Sequence, residues 1–110
     1  MGLEISIELK RDSRMRKEAH SDFSRKLKKN RRELDLLDQK LLDLLNRRLR
    51  ISLDIGKIKT EVGKKIYDAK REKEILDRLK RKNKGPLKER DLKKIFATIM
   101  RVSRKSQIRL

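Results

Sequence analysis

The chain has 110 residues, with no Cys or Trp, one Tyr and two Phe. Without cysteine, disulfides, thiol catalysis and Cys-based metal sites are excluded, and no apolar run approaches the roughly 20 residues of a membrane span. A net charge of +18, from 35 Lys and Arg against 17 Asp and Glu, points to an anionic partner, polymer or small molecule, without choosing between them.

Residues 1–30 contribute nine basic and five acidic residues, so most of the excess charge lies in the body of the chain. No signal-peptide h-region follows the N-terminus, and the expected compartment is the cytoplasm. The single histidine, His20, stands in a polar segment and cannot make a metal site alone. A chain that is only 35% hydrophobic has a thin core, and small helical chains of this kind gain core by associating.

In chain order, residues 1–23 read as a basic N-terminal extension, disordered in part. The alternation of Ile5, Ile7 and Leu9 with Ser6 and Glu8 would fit a short strand there. From about Ser24 the spacing predicts a long helix to about residue 62. Its stripe runs through Leu27, Leu34, Leu37, Leu41, Leu44, Leu45, Ile51, Ile55 and Ile58. Gly63 is the expected C-terminal stop. Asp68 is placed to N-cap a second helix that presents Ile75, Leu76 and Leu79 and ends near Asn83, before Gly85-Pro86. A third helix is expected from residue 87 or 88 almost to the end, with Leu92, Ile95, Phe96, Ile99 and Met100 inward. Residues 24–110 form the expected helical domain, and the fold class is all-α.

Polar groups recur on the apolar faces. Leu34, Leu41, Arg48 and Ile55 are seven apart, so Arg48 occupies a seam position where Leu or Ile belongs. A guanidinium there costs desolvation unless an anion meets it. Lys59 lies eleven residues on, roughly three turns and about 16 Å along the axis, on nearly the same face. Asp68 and Glu72 are i and i+4 on the second helix, and Ser103 and Gln107 are i and i+4 on the third. Singly, each has a plainer account: snorkelling, capping or fixing register. Arg31 precedes Arg48 by 17 residues, which rotates it about 100° away and places it roughly 25 Å off along a straight helix. It could serve a pocket in a partner subunit more readily than one beside Arg48.

These residues resemble the all-helical, type II, chorismate mutases. The likeness is carried by Arg31-Arg32-Glu33-Leu34-Asp35 and the run to Arg48, by Ile55-Gly56-Lys57-Ile58-Lys59, by Ile66-Tyr67-Asp68-Ala69-Lys70-Arg71-Glu72, and by Ile95 to Gln107. It covers about residues 27–108. Asn30 and Lys65 depart from the family pattern, where an apolar residue and a proline are common.

The resemblance implies an intertwined homodimer of three-helix subunits with a long first helix, converting chorismate to prephenate in aromatic amino-acid biosynthesis without a cofactor. It implies that Lys59 and Gln107 act at the ether oxygen. Arg31 (donated to the partner's site), Arg48, Arg71 and Ser103 would hold carboxylates, and Asp68 and Glu72 the ring hydroxyl. No membrane partner and no specific nucleic acid are expected. Two other functions fit parts of the pattern. An isochorismate-pyruvate lyase shares the fold and the cationic pocket. A basic nucleic-acid-binding helical protein would fit the charge, although it would leave Asp68, Glu72, Ser103 and Gln107 without a purpose and has few aromatics for stacking.

Overall fold

The computed structural model describes the backbone of residues 2–109 and the side chains of residues 13–109. All the regular elements among them are helices: α1 (Gly2–Glu61), α2 (Ala69–Lys82) and α3 (Glu89–Ile108). The chain divides into two units, Met1–Asp43 and Leu44–Leu110.

The first helix departs from expectation at its start. The backbone is already helical at Gly2, so the strand considered for Ile5, Ile7 and Leu9 is not formed and the beginning expected near Ser24 moves upstream. Three alternating apolar residues have no second strand to pair with, and an isolated strand is not stable alone. Between Gly2 and Gly56 the chain has no Pro or Gly, and it is rich in Lys, Arg, Glu and Leu, all good helix formers.

The other breakpoints have local causes. Gly63 adopts φ +71. Its N–H meets the Thr60 carbonyl at 3.2 Å, while the Lys64 N–H meets the Lys59 carbonyl at 2.7 Å. This paired closure is a Schellman stop, which needs a residue free to enter the left-handed region. Asp68 starts α2, its Oδ1 accepting from the Arg71 N–H at 3.0 Å. Asn83 ends it by accepting the Gly85 N–H at 2.9 Å and donating to the Leu87 carbonyl at 2.7 Å. Lys80 of α2 and Glu89 of α3 approach to 3.2 Å across the bend.

In the unit Leu44–Leu110 the buried side chains are few. Leu92, Met100, Ser103 and Gln107 lie on one face of α3, and Gly56 of α1 is buried with them. Ile95, expected inward, is exposed. At 100° per residue it points about 100° away from the middle of the face those four share, which leaves it outside. The α1 stripe of this unit is open in the single chain: Leu44, Ile51 and Ile58 are each more than half exposed. Within Met1–Asp43 the same holds of Leu34, Leu37 and Leu41. No described helix is long and apolar enough to cross a membrane.

Candidate active site

The unit Leu44–Leu110 holds a cavity of about 250 Å³ between the last turns of α1, the start of α2 and the end of α3. Its wall includes Arg48, Lys59, Asp68, Arg71, Glu72, Ser103 and Gln107. Arg31 lies in the other unit, exposed, and is not among the lining residues. A wider hollow along residues 13–28 is lined by successive side chains of α1 alone, a solvated helix surface.

Each group reaches the cavity through a local device. On α1, Arg48, Ser52, Ile55 and Lys59 are spaced by four, three and four, which aligns them on one face. Arg48 is half-buried and its Nη1 donates to Ser103 Oγ at 3.1 Å. A guanidinium has five N–H donors, so this bond fixes the fork and leaves most of it for an anion. Lys59 Nζ donates to the Ile66 carbonyl at 3.1 Å, which tethers the ammonium with two further protons available.

Asp68 is both cap and wall: its carboxylate oxygen that caps Arg71 is committed, and the other is open. Arg71 is exposed and comes within 3.8 Å of Glu74 one turn on, a surface pair of small worth. Glu72 is half-buried, and both its oxygens accept from Nη1 of Arg104. The Arg104 guanidinium also lies over the Tyr67 ring, 4.8 Å from its centroid.

Gln107 is anchored to α1 by two hydrogen bonds. Its Nε2 donates to the Ser52 carbonyl at 2.6 Å and to Ser52 Oγ at 3.1 Å. Gly56 makes this approach possible: a Cβ there would stand 2.8 Å from Gln107 Cγ and 3.0 Å from Gln107 Cβ. These atoms are near the α3 backbone and cannot swing away, so a larger residue must separate the helices. Gly56→Val is expected to cost about 2 kcal/mol through overpacking and to withdraw Gln107 from the cavity. Equilibrium urea unfolding alongside turnover would check both effects.

Four contributors lie outside the sequence-based set: Ser52, Gly56, Tyr67 and Arg104. Ser52 shares the Arg48–Lys59 face and is discoverable from that spacing. Arg104 carries no signal beyond its position three residues before Gln107.

Four cations line the cavity (Arg48, Lys59, Arg71 and Arg104) against two carboxylates, Asp68 and Glu72. The wall of the single chain is therefore net +2, which complements a small dianion. The fold and this wall define an all-helical protein with a cationic small-ligand pocket.

Comparison with known proteins agrees. The sequence model of the type II chorismate mutases matches residues 30–108. The bifunctional chorismate mutase/prephenate dehydratase of Pseudomonas aeruginosa is 34% identical over 79 residues, covering 67% of this chain and 22% of that one. The chorismate mutase of Methanocaldococcus jannaschii is 38% identical over 56 residues, covering 51% of this chain and 57% of the relative. Among solved structures, a chorismate mutase from Thermus thermophilus (form II) superposes with a TM-score of 0.75 at 34% identity, over 76% of this chain and 96% of that one. The chorismate mutase of Helicobacter pylori in complex with prephenate superposes with a TM-score of 0.71 at 41% identity, over 76% and 90% of the two chains. The chain belongs to the type II chorismate mutase family. It spans less than a quarter of the Pseudomonas relative.

Proposed function

We propose that this chain is a chorismate mutase: it rearranges chorismate to prephenate, as a cytoplasmic homodimer serving the synthesis of phenylalanine and tyrosine. The observation that carries this reading is the convergence of Arg48, Lys59, Asp68, Arg71, Glu72, Ser103 and Gln107 on one cavity of about 250 Å³. The reaction breaks a carbon–oxygen bond and forms a carbon–carbon bond within one molecule. It needs neither nucleophile nor proton transfer, so conformational selection and electrostatics must supply the rate.

Chorismate carries two carboxylates, and Arg suits them because its planar fork binds carboxylate bidentately. Arg48, pre-set by Ser103, takes one with Ser103 beside it. Arg71 and Arg31 of the partner subunit complete the grip. Asp68 and Glu72 accept the ring hydroxyl. Held so, the enolpyruvyl side chain folds over the ring, and the reacting carbons meet without the entropic cost of finding each other. Negative charge grows on the ether oxygen as its bond breaks. Lys59 donates there, and Gln107 joins it by turning one Nε2 proton from Ser52 to the ether oxygen; both bonds strengthen towards the transition state.

The exposed apolar stripe of α1 supports the dimer, because an uncovered seam of this length is what a second copy would bury. Residues 24–110 are the working domain and residues 1–23 its extension, which is charge-balanced rather than basic, with five Lys and Arg against five Asp and Glu.

Purified protein is expected to consume chorismate and yield prephenate in stoichiometric amount, followed by the loss of chorismate absorbance with the product identified by mass. Pyruvate release from isochorismate without prephenate formation would instead assign a lyase. DNA binding that weakens with salt, with chorismate untouched, would assign a nucleic-acid binder.

A further inference from the structure

Arg104 has no part in the chemistry described so far, yet it lines the cavity and makes two contacts there. From α3, its Nη1 donates to both oxygens of Glu72 on α2, and its guanidinium covers the ring of Tyr67, in the connection before α2, with 4.8 Å to the centroid. The pair is sheltered: the Arg104 and Glu72 side chains are 28% and 22% exposed. We infer that Arg104 is a positioning residue, which clamps the Glu72 carboxylate in the orientation that accepts the ring hydroxyl of the substrate. This rests on the mutase reading.

Three features separate a clamp from a fourth substrate cation. The Arg104 Nη1 is engaged by a carboxylate of the protein itself, so its charge is answered before any ligand arrives. The planar group lies on Tyr67, a contact that suits guanidinium better than ammonium and restrains its rotation. Glu72, in turn, keeps capacity to spare, because an ionised carboxylate has about four lone-pair sites and two are used. Left alone, a glutamate side chain on the same wall as Arg48 and Lys59 would sample several rotamers and pair with either cation, drawing them from the substrate carboxylate and the ether oxygen. Arg104 removes that competition and leaves the remaining lone pairs of Glu72 for the substrate. A site assembled in advance loses less on binding.

The test is a double-mutant cycle read in turnover, with an independent readout of the pair. Arg104→Met is expected to lower kcat/KM by about tenfold, within the range of contacting pairs, with KM rising more than kcat falls, because the hydroxyl contact is made in both ground and transition states. Arg104→Lys should recover part of the loss. In a Glu72→Ala background, where nothing remains to be clamped, Arg104→Met should change kcat/KM less than about twofold.

The readout that does not need turnover is the signal of the Arg104 Nη1 protons, the ones that bond Glu72, in NMR of the full chain. It should be slowly exchanging in the wild type and lost in Glu72→Ala. Additive effects across the cycle, or an Arg104 signal indifferent to Glu72, overturn the clamp while leaving the mutase reading intact. A well-folded wild type with no turnover of chorismate overturns the mutase reading, and this inference with it, even if the NMR signal shows the pair.

Discussion

Lys59→Ala should lower kcat by about a hundredfold or more while changing KM far less. The cavity is the reason. Lys59 is the one ammonium on its wall, tethered by the Ile66 carbonyl at 3.1 Å. It shares that wall with Gln107, which is itself fixed by Ser52. In the ground state the ether oxygen is a weak acceptor, and a donor there gains little. On the proposed mechanism the oxygen gains partial negative charge as its bond breaks, before it becomes a ketone oxygen, and in a part-buried site one pre-set donor is worth about 3 kcal/mol. At about 1.4 kcal/mol per factor of ten, that is roughly two orders of magnitude. Because the interaction is made mainly in the transition state, the loss falls on kcat. Initial rates over a range of chorismate concentrations would show it, and near-normal kcat in a folded Lys59→Ala protein would remove Lys59 from the mechanism. A partial return of rate in Lys59→Arg would indicate that charge matters more than the compact shape of the ammonium.

Exchange of subunits gives the second large effect. Arg31→Ala and Arg48→Ala should each inactivate the proposed homodimer, in which Arg31 serves the partner's site. Truncating one side of a buried, hydrogen-bonded charge pair costs about 2–5 kcal/mol. Mixed as heterodimers, the two variants should recover activity. The site on the Arg31→Ala chain has its own Arg48 and receives an intact Arg31 from its partner. The other site lacks both. One site in two is then complete, so a pure heterodimer should show about half the wild-type rate, as the symmetry of an isologous dimer requires. If Arg31 worked in its own chain, both sites of the heterodimer would be damaged and nothing would return. The measurement is the rate of a doubly tagged, purified heterodimer, and absence of recovery in that preparation would disprove the shared site.

Arg48 and Lys59 stand out in the chain itself through periodicity, whereas the role of Arg31 comes from the family resemblance. Arg48 and Lys59 stand on an apolar stripe where burying a charge is costly, and a helix translates that spacing directly into a shared face. The ends of the helices are legible for the same local reason: Gly63, Asp68 and Asn83 act through their own backbone and nearest neighbours. The N-terminal start is misread from sequence, because a three-residue alternation imitates a strand and no stop signal separates it from the helix that follows.

Other parts of the site are hidden in the chain. Arg104 is one of 35 Lys and Arg residues, and what distinguishes it is Glu72, 32 positions away on another helix. The same is true of Gly56, which one would take for a weak point in a helix. Its missing Cβ is where Gln107 sits. Ser52 reads as a neutral helix-face residue until Gln107 arrives from α3, 55 positions along the chain. Spacing within a helix is written in one dimension and can be counted. Which side chain of α3 settles on which residue of α1 or α2 depends on how closely the helices approach, and that distance is set by the packing of all of them at once.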